Sequence, residues 1–115
     1  PIANALVEPD KLSVPDERFP LETAFCHDCA LVQVTETIPA DILFGQDYPY
    51  FSSFLPALLA HSREHALQLV ERRKLTPDHF VVEVASNDGY LLKNFVELGI
   101  PVLGVDPAAG PAAAA

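Results

Sequence analysis

The chain has 115 residues, with 16 acidic against 7 basic side chains and a formal charge of −9. That balance disfavours binding to a nucleic-acid backbone, which needs clustered Lys and Arg. No apolar run is long enough to span a bilayer and no signal-peptide pattern is visible, so neither membrane nor nucleic acid is expected as a partner.

In chain order, residues 1–20 carry breakers at Pro9, Pro15 and Pro20 and read as irregular, partly extended segments. Phe25, Leu31, Val32 and Val34 then bracket Cys26-His27-Asp28-Cys29 with a short hairpin pattern. Two sulfurs of one C-x-x-C turn can share a tetrahedral metal, but structural zinc takes four ligands and this chain has two cysteines. Three readings stay open at this point: half of a zinc site, a redox dithiol, or two structural thiols. A reducing, cytoplasmic compartment fits all three. The strand-to-helix setting of a thioredoxin-like dithiol is missing.

Residues 38–44 suggest a short helical turn between breakers. The segment Tyr48-Pro49-Tyr50-Phe51-Ser52-Ser53 leads into a long amphipathic helix over residues 54–74. Leu55, Leu58, Leu59, Ser62, Ala66, Leu69 and Val70 recur there at three- and four-residue steps. Ser52 or Ser53 is a suitable N-cap, and Pro56 is tolerated in a first turn. Arg72, Arg73 and Lys74 suit the negative end of the helix dipole. His61 and His65 sit one helical turn apart, but no third ligand is suitably spaced, so they read as ordinary histidines.

Next, Phe80, Val81, Val82 and Val84 predict a short buried strand, and Ala85 to Gly89 a small-residue turn. Leu91, Leu92, Phe95, Val96 and Leu98 then give a helical period stopped by Gly99. A second apolar run, Val102–Val105, ends in Asp106. Strand, turn, helix, and strand with a carboxylate at its tip is the opening of a doubly wound, Rossmann-like α/β sheet. Ligands of such sheets sit beyond the carboxyl ends of the strands, at exposed amides. Asp106 can accept both hydroxyls of a ribose. No G-x-G-x-x-G or P-loop pattern is present, so a phosphate cradle is weakly supported. Glu83 and Asp88 would repel phosphate but suit a cationic amino group or sulfonium, which points to S-adenosylmethionine (SAM).

Glu83-Val84-Ala85-Ser86-Asn87-Asp88-Gly89-Tyr90-Leu91-Leu92 resembles the first SAM motif of class I methyltransferases. In particular it resembles the sugar C-methyltransferase family that carries an N-terminal zinc-binding domain. The third motif position is usually Gly in that family and is Ala85 here. Gly104-Val105-Asp106-Pro107-Ala108 matches the acidic tip of the family's second strand. Phe25-Cys26-His27-Asp28-Cys29-Ala30-Leu31-Val32-Gln33 matches the second of its two C-x-x-C pairs, with Ala30 in place of Gly. The resemblance runs through nearly the whole chain. It implies zinc held by Cys26 and Cys29 with a further pair upstream, and SAM against Glu83, Ala85, Ser86, Asn87, Asp88, Gly89 and Asp106. It also implies that Tyr48, Tyr50, Ser52 and Ser53 lie over the active site, within reach of the cofactor's methionine end or a sugar hydroxyl. Packing of the aromatics and capping by the serines is the competing reading of that segment.

The implied reaction methylates a carbon of a nucleotide-linked keto sugar. A base removes the proton beside the carbonyl, and the carbanion or enolate takes the methyl group of SAM. The family's base is a histidine in its later part, so His27, His61, His65 and His79 receive no such role. The expected organisation is a partial zinc-binding domain over 1–47, a linker motif and helix over 48–79, and the start of the SAM-binding domain over 80–115. Two parallel strands make no stable sheet alone, and the chain begins without methionine; a piece of a larger protein is expected. The alternative is a non-catalytic zinc-ribbon binding module whose βαβ unit is structural.

Overall fold

A computed structural model describes residues 6–45 and 48–115. The reading of residues 1–5 as irregular therefore lies outside the described residues. The chain is a mixture of α and β and divides into two compact units, residues 1–43 and 44–115.

In the first unit a 3-10 turn (Pro9–Lys11) precedes a two-stranded hairpin, β1 (Thr23–Phe25) and β2 (Val32–Val34), and a one-turn helix α1 (Ala40–Leu43). The strands are antiparallel, with Thr23 opposite Val34 and Phe25 opposite Val32. The hairpin closes through Cys26 N–H to the Leu31 carbonyl and Ala30 N–H to the Cys26 carbonyl, both 2.9 Å. Ala30 adopts φ +58° there, a left-handed conformation that glycine takes at lower cost. None of the described residues of this unit is buried.

The second unit is built on a long helix, α2 (Pro56–Arg73). Its start corrects the expected boundary and cap. Leu55 is the N-cap in an extended conformation, without a side-chain capping bond, and Pro56 opens the first turn. The fixed φ of proline sets that start, and Ser52 and Ser53 fall one turn earlier, in the 3-10 turn Ser52–Phe54. The helix ends where Lys74 turns left-handed at φ +53°, with Leu75 N–H bonded back to the Val70 carbonyl and Arg72 and Arg73 in the last turn.

β3 (Val81–Val84) and β4 (Val102–Val105) pair in parallel, Val81 with Val102 and Val84 with Val105. The expectation of a wholly buried strand is corrected: Val81 and Glu83 are half-buried, whereas Phe80, Val82 and Val84 are exposed. Side chains alternate across a strand, and α2 and the crossover helix cover one face only. Val82, Val84, Leu103 and Val105 thus form an exposed apolar face.

The crossover helix α3 spans only Lys93–Val96, shorter than the apolar period implies. Bonds from Asn94 N–H to the Leu91 carbonyl and from Phe95 N–H to the Leu92 carbonyl tighten its start into three-residue turns. The buried Asn94 carboxamide also donates to the Tyr90 and Leu91 carbonyls, competing with regular helix bonding. At the other end Gly99, φ +73°, permits a Schellman closure: Gly99 N–H to Val96 and Ile100 N–H to Phe95. The core is Ala66 from α2 with Leu92, Phe95 and Ile100, surrounded by Leu69, Val70, Leu75, Val81, Leu91 and Val102. Residues 109–114 form a final helix, α4 (Ala109–Ala114).

One close approach fixes a residue type. A Cβ on Gly104 would fall 2.5 Å from Ser86 Oγ and 3.2 Å from Leu92 Cδ1. Glycine lets the turn after β3 lie against β4 without displacing Ser86 or Leu92.

Candidate functional site

The carboxyl ends of β3 and β4 and the turn between β3 and α3 bring one cluster together. Ala85 and Ser86 N–H both reach the Val105 carbonyl, at 2.8 and 3.3 Å, which folds the turn over the tip of β4. Ala85 at φ +64°, Asn87 at +51° and Gly89 at +73° are all left-handed. Asparagine and glycine tolerate that region; alanine there is held against a cost of roughly 1–2 kcal/mol. Ser86 and Asn87 are buried in consequence.

Asp106, at the tip of β4, receives the Asn87 N–H on Oδ2 at 2.7 Å and the Ala108 N–H on Oδ1 at 2.8 Å. A carboxylate has about four acceptor positions, so each oxygen keeps one for a ligand. The Asn87 side chain turns the other way. Its Oδ1 accepts the Ser52 N–H at 2.8 Å, and its Nδ2 donates to the Tyr50 carbonyl at 3.2 Å. Asp88 Oδ2 accepts the Ser53 N–H at 3.0 Å. Tyr50, Ser52, Ser53, Asn87, Asp88 and Asp106 are thereby assembled into one network. Tyr48 stands apart, its ring packed edge-on against Phe44 at 5.4 Å.

Two acceptors in this cluster, Glu83 Oε2 and Asp88 Oδ1, are buried without a hydrogen-bond partner among the described residues. Burial, and then the charge of Asp106, raise the Glu83 carboxyl above its ordinary value. Tyr90 also belongs here. Burial comes first, followed by Glu83, Tyr50 and Asp88, in raising its phenol, so these groups share one environment. Tyr90 is not among the residues expected here from sequence. Its place directly after the turn glycine was the available signal.

Cys26 and Cys29 are free thiols at the hairpin turn. Backbone N–H groups of Cys29 and then Asp28, together with the Cys29 side chain, lower the Cys26 thiol below its ordinary value. Among the described residues no set of three or more His, Cys, Asp or Glu could hold a metal ion. His61 and His65 stack with ring centroids 6.3 Å apart, and His79 Nδ1 accepts the Thr76 N–H at 3.0 Å in the loop before β3.

Against known proteins, residues 1–44 match the family model described as "Putative zinc binding domain". Over 108 residues, 94% of the chain, the sequence is 36% identical to the C-methyltransferase NovU of Streptomyces niveus. Over nearly its whole length the chain is thus similar to part of a C-methyltransferase. The aligned part is 26% of that relative's length, so the chain spans about a quarter of the protein it matches. The alignment covers both the hairpin unit and the network around Asp106. Among the described residues no helix is long and apolar enough to cross a membrane.

Proposed function

We propose that this chain is part of a SAM-dependent C-methyltransferase acting on a nucleotide-linked keto sugar in the cytoplasm. The observation that carries the reading is the parallel pair β3 and β4, with Asp106 at its tip bonded to the turn amide of Asn87. A strand-tip carboxylate beside turn amides is what a Rossmann-like sheet uses to meet a ribose, and this supports the reading. Similarity to a C-methyltransferase supports SAM as the ribose-bearing ligand.

The residues fit that cofactor. Asp106 has acceptor positions left for two ribose hydroxyls, and the turn of Ala85, Ser86, Asn87 and Gly89 offers main chain for the methionine portion. Glu83 Oε2 and Asp88 Oδ1 are orphaned acceptors suited to an ammonium or sulfonium. When bound, SAM supplies the methyl group as an electrophile. This chain's residues hold and orient, with Tyr50 and the backbone of Ser52 and Ser53 placed beside the turn and Tyr48 nearby in sequence. In a protein of this kind the exposed face of Val82, Val84, Leu103 and Val105 is covered by further structure, since parallel sheets are buried on both faces.

The test is calorimetric titration of SAM into the full-length protein, followed by methyl transfer to nucleotide-linked keto sugars. Absence of heat and of transfer would favour the non-catalytic binding module instead.

Glu83 makes the titration sharper. Its carboxyl is raised in the folded state, so the native protein holds that proton more readily than the unfolded chain. Stability therefore falls as pH rises from the ordinary value of 4.5 through the raised one. A cationic ligand prefers the ionised carboxylate, so SAM affinity rises across the same window. Glu83→Gln is expected to flatten both slopes. Parallel melting curves and titrations over a pH series rising from the ordinary carboxyl value of 4.5 check it.

For the hairpin unit, the proposal is that Cys26 and Cys29 supply two of four ligands to a structural zinc. A unit with no buried residue among those described has little hydrophobic stabilisation, and a metal commonly takes its place in small domains. Elemental analysis of the native full-length protein should find about one zinc per chain. Chelation should unfold the hairpin, and metal-free native protein would sink the idea.

A further inference from the structure

The two hydrogen bonds of the Asn87 carboxamide fall on either side of one residue. The Tyr50 carbonyl and the Ser52 N–H flank Phe51, and Asn87 meets them with a donor and an acceptor at 3.2 and 2.8 Å. A neighbouring β-strand residue offers the same pair with its main chain. Here a side chain does so, from a position 35 residues away from Ser52. The main chain of Asn87 is committed elsewhere, its N–H bonded to Asp106 Oδ2 at 2.7 Å. One buried residue therefore joins the strand-tip carboxylate to the segment that carries Tyr50.

We propose that Asn87 is a positioning residue that transmits occupancy at Asp106 to the backbone around Phe51. This rests on the cofactor reading given above. A ribose on Asp106 fixes the carboxylate, the carboxylate fixes the Asn87 N–H, and the carboxamide then holds residues 50–52 in place beside the cofactor. Binding of cofactor thus orders the segment over which the acceptor sugar is placed. The left-handed backbone, φ +51°, belongs to this device, because it lets the N–H and the side chain of one residue face different elements.

Amide hydrogen exchange on the full-length protein, with SAM as the probe, tests the coupling. Asn87→Gly is the informative variant: glycine keeps the left-handed turn and the N–H to Asp106 while removing the carboxamide. In the wild type, SAM should slow exchange at the Ser52 amide. In Asn87→Gly, the Ser52 amide should exchange about tenfold or more faster with SAM bound, and adding SAM should no longer slow it. A second variant, Asn87→Asp, keeps the acceptor and loses the donor, so Ser52 should retain partial protection. Asn87→Gly with wild-type protection at Ser52 would overturn the tether and leave the cofactor reading standing. Wild-type protein that binds no SAM would overturn both readings together.

Discussion

Asp106→Ala in the full-length protein is expected to weaken SAM binding tenfold to a hundredfold. Each charge-assisted bond from a ribose hydroxyl contributes roughly 1.5–3 kcal/mol, and a factor of ten corresponds to about 1.4 kcal/mol. Asp106 also holds the amides of Asn87 and Ala108, so alanine leaves two backbone donors without their acceptor. A separate stability loss of about 1–3 kcal/mol should accompany the loss of affinity. Asp106→Asn separates the two effects. Its remaining carbonyl oxygen can keep one amide, so stability should recover more than affinity does. Calorimetry and a thermal melt on both variants check this. A dissociation constant unchanged in folded Asp106→Ala protein would remove the ribose assignment.

The largest effect on folding is expected at Phe95. It is 2% exposed and packs with Ala66, Leu92 and Ile100 at the centre of the second unit. Phe→Ala at such a site costs roughly 3–5 kcal/mol, through lost transfer energy and the cavity left behind. Domains have only about 5–15 kcal/mol in total. Val96, the next residue, is 57% exposed, and Val96→Ala should stay within about 0.5 kcal/mol. Denaturant midpoints of the two variants give the comparison. Because α3 anchors the end of the turn over β4, Phe95→Ala should also weaken cofactor binding, whereas Val96→Ala should not.

Much of the backbone could be read from local pattern. Val102–Val105 is the strand that its apolar run implies, and β3 starts at Val81 in place of Phe80. Chain-local physics explains this: alternation, a glycine stop and a proline start each act within a few residues. The misses share a different cause. Ser52 and Ser53 looked like caps, yet their amides are taken by Asn87 and Asp88 from 35 residues further along the chain. The shortness of α3 depends on where the Asn94 carboxamide turns, and the half-exposure of β3 on which face the helices cover. Tyr90 gains its surroundings only once Glu83, Tyr50 and Asp88 meet around it. No spacing rule encodes contacts made across 35 residues. Of the candidate site, the turn and the strand-tip carboxylate were legible. The network that joins them to residues 50–53 was not.

The contact between Gly104 and Ser86 bears on how this protein can change over generations. With 2.5 Å between Ser86 Oγ and any Cβ at position 104, neither site is free to drift while the other stays as it is. Glycine at 86 would remove the two closest contacts of a side chain at 104 and leave the one to Leu92 Cδ1 at 3.2 Å. The two positions lie 18 apart in sequence yet share one space, so homologues should vary them together, with a small residue kept in the turn or on the strand and rarely a bulky one at both.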